Sequence, residues 1–188
     1  MSLVGTSDRV KPFDVPLAQL TEAPSNEDVV AILEGIEGVS SAANLQPWAV
    51  RILTADERDV VAEAAQDALG RPLRNHRSAA IREVPCLMVV AMNVARAKCR
   101  FGIRGATLFG IQDVAAAAAA MRQAGWSRGV ASHWVREVDL DVLAERLAMR
   151  PRLEPQLVLA FGRVEAHAVL ESPPSLAWRD VVEGWVEP

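Results

Sequence analysis

The sequence predicts a mixed domain, α+β or α/β, with four or so strands and helices on both faces. Three observations carry this. The run Cys86-Leu87-Met88-Val89-Val90-Ala91-Met92 has no polar member, as a central strand covered on both faces requires. A second apolar run, Leu157 to Phe161, stops at Gly162. Between them a helical stretch covers about Ala106 to Gln123, and its middle, Val114 to Met121, is apolar all round, the mark of a buried helix. No repeat and no internal domain boundary interrupts this alternation.

The elements follow in order. Residues 1–26 are punctuated by Pro and Ser and read as an irregular N-terminal arm; residues 27–188 read as a single domain. Ser25 precedes Asn26-Glu27-Asp28, a helix start with acids in the first turn. Val29, Val30, Ile32, Leu33 and Ile36 give that helix an apolar stripe, which Gly35 and Gly38 end. Ser40 to Pro47 reads as a loop, and Trp48, Val50 and Ile52 alternate with their neighbours as in a strand. A helix is expected from about Asp56 to Leu69, and after Gly70-Arg71-Pro72 a second amphipathic piece runs to about Glu83. After the apolar strand, residues 93–105 are basic and polar and read as a loop or mobile excursion. Ala115 to Ala120 are six alanines in succession, which keep the main helix thin enough for close backbone approach. Gly129 to Val135 reads as a short loop-strand, and Asp139 to Leu147 as a short helix. Ser172 to Ser175 forms a Pro-rich corner, followed by a terminal helix over about Trp178 to Trp185.

Composition narrows the function classes. The 188 residues suit one domain, which can bury roughly 70% of its unfolded surface without a metal or disulfide staple. The net charge is −4, which argues against nucleic acid as a partner, since phosphate-binding surfaces carry a basic excess. Two cysteines, Cys86 and Cys99, make neither a disulfide framework nor a four-ligand zinc site, and a reducing, cytoplasmic setting is expected. Met1 to Lys11 lacks the pattern of an export signal. No apolar run reaches the ~20 residues of a membrane span, so no membrane partner is expected. Eighteen of the 20 basic residues are arginine, and tyrosine is absent.

Side-chain catalysts are missing from the pattern. No Gly-rich phosphate loop follows a strand. His76, His133 and His167 are scattered without partners at metal spacing, so no metal is expected. Glu137, Asp139 and Asp141 stand at a helix start, where capping accounts for them. Trp126 and Trp134 read first as packing residues. An enzyme built this way would take its reactive chemistry from a cofactor.

Two segments carry a resemblance. Ser40-Ser41-Ala42-Ala43-Asn44-Leu45-Gln46-Pro47-Trp48 resembles the PS-x-x-N-x-QPW loop of the FMN-dependent nitroreductase-like superfamily. Gly129-Val130-Ala131-Ser132-His133-Trp134-Val135 resembles that family's GLGSxWI loop, sixteen residues after Asp113. The strands 86–92 and 157–161 fit as well, and the likeness covers roughly residues 27–185. Hydroxyls and carboxamides both donate and accept, as a flavin's mixed edge requires, and small residues let a main chain come close to a ring.

The resemblance implies a three-layer α+β fold with a central, mostly antiparallel sheet. It implies an intertwined homodimer with two equivalent flavin sites at the interface, the N-terminal arm and C-terminal helix being the exchanged elements. Ser40, Ser41, Asn44 and Gln46 would hold FMN, and the backbone of Gly129, Val130, Ala131 and Ser132 would lie at its redox-active edge. NAD(P)H would be the electron donor and an electron-poor small molecule the acceptor, with no catalytic side chain assigned. Two other readings share the fold: a ligand-binding or non-catalytic scaffold, and a specialised cofactor-biosynthesis flavin reductase resembling the C-terminal domain of F420 glutamyl ligases. Three positions depart from the family pattern. Its Arg-rich opening segment falls on Pro12 to Ala18, with no basic residue between Lys11 and Arg51. Its C-terminal phosphate-contacting arginine falls on the uncharged Pro173 to Leu176. Its central QN pair is Ala119-Ala120. Substitute anchors are Arg9, Lys11, Arg163, Arg179, or an arginine of the partner subunit among Arg96, Arg100 and Arg104.

Overall fold

A computed structural model describes residues 15–66, 70–72 and 76–165. The Pro-rich corner, the terminal helix and most of the N-terminal arm lie outside the described residues.

Four strands form one sheet in the order β1-β2-β4-β3: β1 Trp48–Ile52, β2 Cys86–Asn93, β3 Ala131–Val135 and β4 Leu153–Gly162. All three pairings are antiparallel, which settles α+β against α/β. β2 and β4 are the central pair, and β2 is buried from Cys86 to Met92. Side chains alternate across the pleat. Leu87, Val89, Ala91, Val158 and Ala160 face one core with Val61, Ile81 and Leu143. Met88, Val90, Met92, Leu157, Leu159 and Phe161 face the other with Ile32, Val114 and Met121. Helices α2 (Ala55–Glu63), α3 (His76–Glu83) and α6 (Leu140–Arg146) cover the first face, and α1 (Asn26–Glu34) and α5 (Gly110–Ser127) the second.

Local signals explain the boundaries. Ser25 and Asp28 form a capping box on α1, and Thr54 and Glu57 one on α2. Asp139 accepts from the amides of Asp141 and Val142 and so caps α6, the role expected of it. α1 approaches α5 closely: a Cβ on Gly35 would lie 2.6 Å from Ala124 Cβ and 3.1 Å from the Ala120 carbonyl.

Several expectations are corrected. Residues 94–104 are not a loop but helix α4 (Val94–Arg104), because Asn93 accepts from the Arg96 amide as its N-cap and Ala97 is buried. Gly102, with φ 57 and ψ −136, breaks that helix near its end. The main helix begins later, at Gly110, after a π-helical turn over Gly105–Phe109, and runs on to Ser127. It is not buried all round: Val114, Ala117, Ala118 and Met121 are buried, but Ala115, Ala116 and Ala119 are exposed. α2 ends at Glu63, not near Leu69, because Ala65 and Gln66 turn into bridges with Val138 and Pro72. Val30 and Ile52 face outward, 50% and 46% exposed. β4 extends back to Leu153, past the polar Gln156 and Glu154. The described part of the arm lies on its own chain: Val15, Leu17 and Leu20 are buried, and Glu22 bridges to Arg163.

Candidate functional site

The first segment is an exposed loop leading into edge strand β1. Ala43, Asn44 and Gln46 take left-handed backbone angles, with φ of 50°, 55° and 46°. Such angles are unfavourable for residues with a Cβ and gather where a loop must present groups. The loop is held from outside. The Ala42 amide donates to both carboxylate oxygens of Asp113 on α5, at 3.2 and 3.1 Å. Arg96 of α4 donates through Nη1 to the Gln46 carbonyl at 2.6 Å. Within the loop, the Gln46 amide donates to Ser41 Oγ (2.9 Å) and Gln46 Nε2 to Asn44 Oδ1 (3.0 Å). Ser40, Asn44 and Gln46 are exposed and Ser41 is half-buried. These bonds leave the Asn44 Nδ2 donor and the Gln46 Oε1 acceptor for a ligand with a mixed edge.

The second segment closes α5 and opens the opposite edge strand, β3. Gly129 has φ 72, an angle glycine adopts without strain. Val130, Ala131 and Ser132 are buried. The Val130 amide donates to the Gly125 carbonyl (2.9 Å), and the Ser132 carbonyl accepts from the Val15 amide (3.0 Å). Arg122 Nε donates to Ser132 Oγ at 2.9 Å, so that hydroxyl already has a partner. His133 Nδ1 donates to the Val15 carbonyl at 2.9 Å. Nearby, the buried Asp28 carboxylate receives Arg128 Nε at 3.2 Å and Arg163 Nη2 at 2.6 Å. Burial pushes the Asp28 pKa up, but hydrogen bonds from the Ser25 amide and hydroxyl and from Arg163 outweigh it and hold the pKa at about 2.

One chain does not bring the two segments together. The first hangs on Asp113, and Gly129 lies sixteen residues further along α5 and its end, about 24 Å at helical rise. The sheet agrees. Trp48 pairs with Met92, whereas Ala131 pairs with Gly162 beside the Cys86 end of β2. They sit at diagonal corners of the sheet, so convergence within a single chain is excluded. Among the described residues an open polar hollow of about 500 Å³ lies between α6 and β4, lined by Asp139, Asp141, Arg150 and Glu154; it includes none of the expected site residues. No group of three or more His, Cys, Asp or Glu placed to hold a metal ion occurs among the described residues. Nor is any helix among them long and apolar enough to cross a membrane.

A family comparison decides the lineage: residues 20–163 match the Nitroreductase family. The chain belongs to the nitroreductase family. That places it among oxidoreductases. Solved structures share its fold. A nitroreductase in complex with FMN from Desulfovibrio desulfuricans is 18% identical, with a TM-score of 0.69 over 94% of this chain and all of that one. A nitroreductase family protein from Streptococcus pneumoniae gives 15% identity and a TM-score of 0.71, covering 89% and 97%. The hypothetical oxidoreductase YcnD from Bacillus subtilis gives 18% and 0.71, covering 88% of this chain and 68% of that one. No curated protein matches.

For this nitroreductase-family chain, the donor set suits a flavin ring: carboxamides on one segment, small residues and main chain on the other. The phosphate end differs. Where the family places arginine, the described residues are Val15-Pro16-Leu17-Ala18, and Val15 and Leu17 are buried. Two residues have roles in the site that the sequence does not indicate. Asp113 enters the sequence analysis only as a spacing reference, and its hold on Ala42 spans 71 positions. Arg96 is named there as a substitute phosphate anchor, not as the residue that holds the Gln46 carbonyl.

Proposed function

We propose that the protein is an FMN-dependent oxidoreductase that works as a homodimer, taking electrons from NAD(P)H and passing them to an electron-poor small molecule. The observation that supports this most is the diagonal placement of two flavin-type segments, each incomplete alone. A two-fold pairing sets the same patches against each other, so the 40–48 segment of one protomer can meet the 129–132 segment of its partner, twice per dimer. An apolar face is available for that pairing. Ile103, Leu108 and Ile111 are 75%, 38% and 44% exposed, and Ala115, Ala116 and Ala119 continue it along α5.

When bound, FMN supplies the redox chemistry, accepting hydride from the donor and giving it to the acceptor. The chain's share is position and polarity. Ser40, Ser41, Asn44 and Gln46 offer donors and acceptors to the ribityl chain and the ring edge. The main chain of Gly129 to Ser132 would lie at the ring's redox-active edge, where the half-buried Gly129 has no side chain to bar close approach. We further read residues 27–188 as one domain and the cytoplasm as its compartment. Cys86 is a buried thiol with its pKa pushed up to about 11 by burial, against the opposing charge of Arg58, and Cys99 is free.

The test is an absorbance scan of the purified protein and a titration with FMN, with sedimentation to give the mass. A yellow dimer, or one that turns yellow stoichiometrically, is expected. A colourless protein indifferent to FMN overturns the proposal. The apolar stretch Val15 to Ala18 favours a second reading, a flavin-binding scaffold without turnover; flavin that fails to bleach anaerobically with either NADH or NADPH would select it.

A further inference from the structure

Residues 84–112 contain no acid, in a chain whose net charge is −4. The four charges of that stretch, Arg96, Lys98, Arg100 and Arg104, all stand on α4 and are all exposed. Arg104 lies over the Phe109 ring, but the stability of α4 does not account for Arg96 and Arg100. No acid occupies the first turn of α4, and Arg96 sets a cation at the positive end of the helix dipole, where charge of its own sign is disfavoured. Arg96 and Arg100 are four residues apart, so they share one flank about 5–6 Å apart at Cβ and repel. Among the described residues neither is in an ion pair with an acid. The next acid along the chain, Asp113, is occupied by the Ala42 amide. Two like charges are thus kept where each weakens the helix, which is the pattern of a site that awaits an anion.

Their placement says which anion. Arg96 is pinned by its 2.6 Å bond to the Gln46 carbonyl, at the loop that offers its carboxamides to a flavin. The other guanidinium nitrogens of Arg96 and the whole head of Arg100 stay available to a ligand. A phosphate dianion matches two neighbouring guanidinium forks in charge and in geometry. We propose that Arg96 and Arg100 form a phosphate site beside the 40–47 loop, which takes the phosphate of a nucleotide cofactor. The naming of that cofactor rests on the flavin reading above; the anion chemistry does not. The phosphate could come from FMN itself or from the dinucleotide donor.

The experiment compares the full chain with Arg96→Gln, Arg100→Gln and the double variant, each checked for folding by circular dichroism. Inorganic pyrophosphate is the first probe, by thermal shift against sodium chloride at equal ionic strength. Wild type should be stabilised and the double variant should not; Arg96→Lys should retain part of the shift. An equal shift in both, or none in either, overturns the site. Two further arms identify the source. If the phosphate is the flavin's, Arg100→Gln, which leaves the Arg96 bond to the Gln46 carbonyl in place, binds FMN at least tenfold more weakly and riboflavin unchanged. If it is the donor's, KM for NADPH rises at least tenfold and for NADH much less. Pyrophosphate binding with neither arm affected overturns the cofactor assignment. A wild type that binds pyrophosphate but no flavin refutes the flavin reading alone.

Discussion

The loop over residues 40–46 hangs from one carboxylate and one arginine, whereas residues 129–132 are stitched down on several sides. The first exposes its side chains on a backbone held at left-handed angles. The second buries them and is fixed by Val15, Gly125 and Arg122, with the Asp28, Arg128 and Arg163 cluster behind it. Both segments carry the family likeness, yet they suit different work. One can lend hydroxyls and carboxamides; the other can lend only main chain, held at a fixed position.

The contrast can be broken from the stitched side. Asp28→Ala removes the N-cap partner of Ser25 and deprives Arg128 and Arg163 of the carboxylate they share, at a position 1% exposed. Loss of about 3 kcal/mol is expected, read by urea unfolding. A smaller loss would mean the corner is held by packing alone. The same carboxylate gives a pH signature. Its pKa is about 2 in the fold against an ordinary 3.8, so it stabilises the fold fully above pH 3.8 and loses that contribution as pH falls toward 2. Asp28→Asn should flatten this acid limb of the stability curve.

On the hanging side, Asp113→Ala should cost about 1 kcal/mol of stability but about tenfold in FMN affinity, since the Ala42 amide loses its acceptor. Ser132→Ala should do the reverse: a comparable loss of stability with flavin affinity unchanged, because only its main chain is offered. Equal effects of the two on affinity would erase the distinction between the segments. The smallest expected effect has the opposite sign. Ala43→Gly should stabilise by up to about 1 kcal/mol, the left-handed strain relieved exceeding the added freedom of the unfolded chain.

What could be read from the sequence follows from how local each signal is. Ser25 and Asp28, Thr54 and Glu57, and Asp139 all cap within three residues, so the starts of α1, α2 and α6 are legible locally. β2 was clear because every member from Cys86 to Met92 is apolar. α4 was not, since its cations and Gly102 imitate a loop and only Ala97 is buried. The outward turn of Ala115, Ala116 and Ala119 was hidden too, because alanine carries no polarity to distinguish one side of a helix from the other. The two flavin-type segments were legible by likeness, but their diagonal separation depends on sheet order, which no local pattern encodes.

The order of strands also bears on how the chain is made. β2 lies between β1, some forty residues before it, and β4, which ends only at Gly162. A nascent chain therefore presents its most water-averse strand with one edge open until nearly the whole domain has left the ribosome. Closure over such a separation is slow, and partly made strands of this kind are where aggregation begins.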